Sequence, residues 1–253
     1  MRLPDAVALI TGAGSGMGRA GALRFAREGA SIVVADLDVD AAAATAKLVE
    51  EAGGQAIAVG GDVSRPEDCA RMVAAGLEAF GKLSIAWANA GIPQASQPIE
   101  VLTAETFDRM MAVNARGAWL TAQAAVPALR ANGGGAIVIT SSMSGLKGRS
   151  GNSAYSMSKG ATVMMTHALA VELAPYGIRV NSLCPVAADT PMFPRFLEGA
   201  PDFETAKAAV VAAIPLKRLC TAEDVANAAL FLASDEAAMI TGVNLRVDGG
   251  LGA

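Results

Sequence analysis

Val7-Ala8-Leu9-Ile10-Thr11-Gly12-Ala13-Gly14-Ser15-Gly16-Met17-Gly18 is the stretch on which the reading of this chain turns. Four consecutive apolar residues are too short a run for a helix and suit a strand buried on both faces; the glycines stop it, and a helical pattern begins near Arg19. Glycine lets the backbone turn tightly and approach a ligand, while the first amides of the following helix point outward without acceptors of their own. A pyrophosphate fits such a place. Gly12, Gly14, Ser15, Gly16, Met17 and Gly18 are therefore candidate cofactor contacts. A glycine-rich turn can also serve chain reversal alone, so the weight rests on its surroundings.

Outward from this turn the alternation continues. Further short, branched apolar runs stand at Ser31 to Ala35, Ala56 to Val59, Ile85 to Ala88, Ala136 to Thr140, Val180 to Leu183 and Val243 to Val247. Between them helical patterns run near 16–28, 39–52, 66–80, 103–131, 153–175 and 223–234, several opened by a capping residue such as Ser64, Thr103 or Thr221. Strand, helix, strand throughout implies an α/β fold: a doubly wound, Rossmann-type parallel sheet of seven strands with right-handed crossovers and helices on both faces. The 253 residues suit a single domain, with a cofactor-binding half of about 1–135 and a catalytic and substrate-binding half of about 136–253.

In such a sheet ligands collect at the carboxyl ends of the strands. The second apolar run ends at Asp36, where a carboxylate would accept from a ribose diol and repel a 2'-phosphate; a cap on the next helix is the competing reading. No arginine follows at position 37, so the expected cofactor is NAD rather than NADP. Asp62 and Val63 follow the third run, and Asn89-Ala90-Gly91 the fourth.

Composition removes other classes. A formal charge of −4 without a Lys/Arg cluster argues against a nucleic acid or anionic membrane partner, and leaves a small molecule. No stretch approaches the roughly 20 apolar residues that span a bilayer. Met1 to Asp5 lead straight into the first strand without a targeting signal, so a soluble, cytoplasmic protein is expected. Cys69, Cys184 and Cys220 are widely spaced and odd in number, and with the single His167 they make no metal site of usual spacing. His167 also lacks the Gly-x-Ser-x-Gly elbow of a hydrolase.

One of the two tyrosines lies in Tyr155-Ser156-Met157-Ser158-Lys159, and the i, i+4 spacing puts phenol and ammonium on one helix face. An unperturbed phenol titrates near pH ~10, so a base working near neutrality needs about 4 kcal/mol of help, which Lys159 and an oxidised nicotinamide could supply. Ser142, at the end of the fifth run, could hold a substrate oxygen or merely cap a turn.

These residues resemble the classical short-chain dehydrogenase/reductase family over essentially the whole chain. The motifs fall in its order: Thr-Gly-x-x-x-Gly-x-Gly at 11–18, Asn-Ala-Gly at 89–91, then Asn114, Ser142, Tyr155 and Lys159. The resemblance implies that Tyr155 is the general acid/base and that Ser142 orients the substrate oxygen. It implies that Lys159 binds the nicotinamide ribose and lowers the phenol's pKa, and that Asn114 anchors a water of a proton relay. It further implies that Pro185, Ala188 and Thr190 lie beside the nicotinamide. Ala88 replaces the family's first asparagine, and Val186 stands where the family has glycine, narrowing the space above the carboxamide.

A long break, about 186–214, is read as a lid, with Val186, Met192, Phe193 and Phe196, together with Gln94, Ser142 and Ser144, as substrate contacts. The substrate expected is a mainly apolar, medium-sized secondary alcohol or ketone. The helices at 103–131 and 153–175 are apolar around much of their circumference and should pack on another subunit; the resemblance implies a homotetramer. Two other functions compete: a reductase of 3-oxoacyl thioesters, disfavoured by Asp36 and the acidic chain, and a catalytically silent NAD-binding protein, disfavoured by the intact tetrad.

Overall fold

The computed structural model describes residues 1–253. The chain forms strands β1 (Val7–Thr11), β2 (Ser31–Asp36), β3 (Gln55–Gly60), β4 (Ile85–Ala88), β5 (Gly135–Thr140) and β6 (Ile178–Pro185). Two-residue strands β7 (Ala188–Asp189) and β8 (Cys220–Thr221) pair only with each other, and β9 (Asn244–Val247) returns to the main sheet. That sheet has seven strands in the order β3-β2-β1-β4-β5-β6-β9, every neighbouring pair parallel.

Alternation along each strand divides the core in two. Ala8 and Ile10 of β1, Ile32 and Val34 of β2 and Trp87 of β4 pack on one face; Val7, Leu9, Val33, Ala35 and Ala86 pack on the other. Both faces are covered, which is why these strands read as unbroken apolar runs. Helices α1 (Gly16–Arg27) and α2 (Val39–Glu51) lie over the first face, and α3 (Pro66–Phe80) over the second. Burying a side chain such as Leu9 or Ile10 completely is worth roughly 1.5–3 kcal/mol. The order reverses at β1, whose neighbours β2 and β4 are reached by excursions in opposite directions, so a crevice opens at the carboxyl ends of β1 and β4.

The helical pattern at 103–131 is three segments rather than one: α4 (Ala104–Met110), a π-helical stretch Met111–Arg116 and α5 (Gly117–Ala131). A wider turn pushes one residue out of the regular ladder, and such turns gather at functional sites; this one carries Asn114. A short α6 (Met143–Leu146) precedes α7 (Ser153–Leu173), whose inner side joins α5 and α3 on the second face. The break at 186–214 is largely structured, holding β7, α8 (Phe193–Phe196) and α9 (Phe203–Ala213), before α10 (Ala222–Ala233) covers the first face beside α1.

Thr103 and Thr221 cap their helices as expected, Thr221 in a reciprocal box with Asp224. Ser64 does not. The residue before α3 is Arg65, with Pro66 in the first turn, and the Ser64 amide is instead tied to Asp62 Oδ1 at 2.8 Å. No helix is long and apolar enough to cross a membrane.

Candidate active site

The glycine loop leaves β1 through Gly12, whose φ of +64° is left-handed, and enters α1 at Gly16, φ +50°. At Gly18 any side chain would collide with the Gly12 carbonyl oxygen and would come within 2.8 Å of Ala13 Cα. The loop can fold this tightly on its helix only as glycine. Ser15 precedes α1 without bonding to it through its side chain, so the first-turn amides keep no protein acceptor from that hydroxyl. A Cβ on Gly16 would stand 3.5 Å from the Thr190 Cβ across the crevice. The Ala13 and Gly14 amides are already bonded, to Ala35 O and Asp36, so the polar face the loop offers a pyrophosphate is that of the amides entering α1.

Asp36 sits at the end of β2, and it is not the cap of the next helix. Asp38 fills that place, accepting from the amides of Asp40 and Ala41. Asp36 instead receives the Gly14 amide on Oδ2 at 2.8 Å and the Asp38 amide on Oδ1 at 3.0 Å. A carboxylate offers about four acceptor sites, so these two bonds fix its direction and leave capacity facing the crevice. Arg19, the cation next to the loop, is occupied by the Gly14 carbonyl and the Thr45 hydroxyl.

Asn89 joins the two strands that bound the crevice. Its amide nitrogen donates to Thr11 O (3.0 Å), and its Oδ1 accepts from Thr140 Oγ1 (3.0 Å), which itself accepts from Trp87 Nε1 (2.8 Å). Asn114 is nearly fully buried. Its Oδ1 accepts from the Ile92 amide (2.7 Å), and its Nδ2 reaches Ile92 O (3.0 Å) and Ser158 Oγ (3.1 Å). A Cβ on Gly91 would lie 3.1 Å from Asn114 Oδ1 and 3.5 Å from Lys159 Nζ, so glycine there keeps a gap open between the two.

Ser142, Tyr155 and Lys159 line one cavity of about 1090 Å³ together with Gly12, Ser15, Gly16, Met17, Asp36, Asp62, Val63, Asn89, Ala90 and Gly91. Gly14 and Gly18 lie behind its wall. Lys159 donates to Thr140 O at 2.7 Å, and its ammonium stands 5.9 Å from the centre of the Tyr155 ring. Burial decides both proton affinities. Desolvation pushes the Tyr155 phenol up to about 12, the Ser142 hydroxyl pulling the other way, and it brings Lys159 down to about 8. A lysine so placed exchanges protons near neutral pH, whereas the phenol needs added positive charge beside it to become a base. Ser142 also caps α6 through the Ser144 amide at 3.1 Å.

The far end of the cavity is apolar. Pro185, Val186, Ala188, Thr190, Met192, Phe193, Phe196 and Ser144 also line the cavity, and α9 contributes Ala206, Ala209 and Val210. The two phenylalanines differ. Phe196 sets its edge on the Tyr155 ring, centroids 5.2 Å apart at 79°. Phe193 is buried against Ile214 and Leu219 and anchors the segment.

Gln94 requires correction: it does not line the cavity. It is only 2% exposed, accepting from the Tyr155 amide at 2.9 Å and donating to Gly151 O at 3.2 Å, so both ends of its side chain are spent on the start of α7. Sequence reasoning passed over Arg109, Lys147 and Arg149, which line the mouth. Their types carry no periodic signal, and only the fold brings Arg109 to the same cavity as Lys147 and Arg149.

Comparison with known proteins adds to this geometry. Residues 12–252 match the family model described as enoyl-(acyl carrier protein) reductase. The 2,5-dichloro-2,5-cyclohexadiene-1,4-diol dehydrogenase of Sphingobium indicum is 39% identical, covering 98% of this chain and 97% of that one. The cyclohexanol dehydrogenase of an Acinetobacter species is also 39% identical, covering 96% and 93%. Among solved structures, a 3-ketoacyl-(acyl-carrier-protein) reductase from Brucella melitensis, complexed with NADH, superposes with a TM-score of 0.92 at 40% identity, over 99% of this chain and 100% of that one.

Proposed function

The chain belongs to the classical short-chain dehydrogenase/reductase family, and from that premise we propose that it is an NAD-dependent dehydrogenase interconverting a ring-bearing, mainly apolar secondary alcohol and its ketone. The observation that carries this reading is the convergence of Ser142, Tyr155 and Lys159 on a cavity shared with the glycine loop and Asp36. Two relatives whose names specify alcohols on six-membered carbocycles support the substrate class.

In this reading the glycine loop at Gly12 to Gly18 holds a pyrophosphate, Asp36 a ribose diol, and Pro185, Ala188 and Thr190 the nicotinamide end. Bound NAD supplies the hydride acceptor, or in its reduced form the donor. The Ser142 hydroxyl donates to the substrate oxygen and fixes it beside the phenol. The Tyr155 oxygen takes the alcohol's proton in oxidation and returns it in reduction. Lys159 lowers the cost of the phenolate by its charge and, poised at about 8, passes the proton on. Asn114 anchors a water in the gap that Gly91 keeps open. Residues 186–214 act as the lid, consistent with α9 lining the cavity while having no buried residue of its own. The exposed Trp119, Met164 and Val171 on α5 and α7 fit a homotetramer, and a cytoplasmic location accords with the cysteines all being unpaired.

The test is a panel of cyclic and open-chain alcohols and ketones, followed by reduced-nicotinamide absorbance with NAD and with NADP. NAD should give the higher kcat/KM, and Asp36→Ala should erode that preference, since it removes the acceptor and the repulsion together. Preference for NADP in the wild type, or no change in the variant, contradicts the cofactor assignment. The Brucella relative favours a second reading, reduction of a 3-oxoacyl thioester; turnover of acetoacetyl thioesters above every ring alcohol in the panel would select it.

A further inference from the structure

The charged residues that line the cavity fall into two groups of opposite sign. Its only carboxylates, Asp36 and Asp62, stand at the glycine-loop end. Besides the buried Lys159, its cations are Arg109, Lys147 and Arg149. Arg109 closes α4, next to Met110, which packs on Tyr155. Lys147 and Arg149 lie in the loop joining α6 to α7, between Ser144 and Tyr155. All three are exposed at the mouth, and none makes a salt bridge or a side-chain hydrogen bond. Arg2, Arg24, Arg65, Arg71, Arg195 and Arg218 are each paired with a carboxylate; Arg27, Lys82, Arg116 and Lys207 are unpaired as well, but none of them lines the cavity.

Three unneutralised positive charges around one apolar opening repel each other and focus a positive potential into it. Glu105 and Asp108 share α4 with Arg109, yet no carboxylate lies within salt-bridge distance of any of the three. We infer that the substrate carries a carboxylate, held by Arg109, Lys147 and Arg149 at the mouth while its carbinol meets Ser142 and Tyr155. The inference rests on the dehydrogenase reading above and narrows its substrate to a hydroxy acid or oxo acid with an apolar body. That body would lie along the cavity's apolar lining, which includes Phe196, Leu197 and Val210. Guanidinium groups suit the charge because their fork matches both carboxylate oxygens. An acidic carrier protein would also bring negative charge, but its surface would meet the exposed Glu105 and Asp108 of α4, which do not line the cavity that a small carboxylate enters.

Two measurements test this. Binding of cyclohexanecarboxylate and of its neutral isostere cyclohexanecarboxamide to the NAD-loaded protein is compared by calorimetry, in the wild type and in Arg109→Gln/Lys147→Gln/Arg149→Gln. The acid should bind at least about tenfold more tightly than the amide in the wild type, and that preference should vanish in the triple variant and weaken with added salt. Equal binding of acid and amide in the wild type, or an acid preference untouched in the triple variant, overturns the inference. Turnover of hydroxycyclohexanecarboxylates against cyclohexanol follows. Acid-selective binding without turnover of any alcohol leaves the anion site standing and removes the dehydrogenase reading. Reduction of an acetoacetyl group on a carrier protein in preference to the free oxo acid also overturns the inference.

Discussion

Replacing Lys159 by methionine should stabilise the protein free of cofactor while ending its activity. The side chain keeps its length and loses a charge that burial makes expensive. The shift from 10.5 to about 8 corresponds to about 3 kcal/mol of penalty on the folded state at neutral pH, where the lysine is protonated both folded and unfolded. Against this stands the bond from Nζ to Thr140 O at 2.7 Å, whose loss costs roughly 1–3 kcal/mol. The net gain is about 0–2 kcal/mol. Its pH dependence has a definite sign. Between about 8 and 10.5 the unfolded lysine holds a proton that the folded one has released, so wild-type stability rises with pH across that window. Methionine has no such dependence, and the variant's advantage should be full below pH 8 and lost by about pH 10.5. Urea midpoints of both proteins across this range provide the assay. A variant less stable than wild type at pH 7, or an advantage that grows with pH, would refute the claim that a costly buried charge is retained here for chemistry.

Gln94→Leu leaves the Tyr155 amide without its acceptor at the start of α7, which should cost about 1–3 kcal/mol in thermal or urea unfolding and lower kcat more than it changes the KM for NAD; an unchanged kcat contradicts the positioning role. Phe196→Ala should alter relative kcat/KM among substrates of different size with little loss of stability. Phe193→Ala should loosen the 186–214 segment, read as faster proteolysis near Gly199, because its ring is buried against Ile214 and Leu219. Equal effects of the two would remove the distinction between contact and anchor.

The parts of the fold legible from sequence are those in which one signal is local and repeated. β1 announces itself because Val7 and Leu9 face one core and Ala8 and Ile10 the other, so no polar residue interrupts it. The Tyr155–Lys159 pair is readable for the same reason, one helix turn being enough to put both on one face. The π-helical stretch around Asn114 was hidden, since one wide turn barely disturbs apolar spacing. Helix α9 was hidden too: none of its residues is fully buried, and only Val210 and Val211 pack partly on the core, so its alanines and valines show a weak inward face. Asp36 could not be told from a cap until Asp38 was seen in that place. Gln94 was misassigned because its partners, Tyr155 and Gly151, lie far along the chain and nothing near it in sequence points to them.

Tyr155→Phe isolates the proton transfer assigned to Tyr155, since the ring and its contact with Phe196 remain while the hydroxyl goes. The measurement is kcat for the best alcohol of the panel beside the Kd for NAD, in wild type and variant. With the hydroxyl gone, kcat should fall about 10²–10⁴-fold or more, while the Kd changes by less than about threefold. A variant that kept most of the wild-type kcat would contradict that assignment.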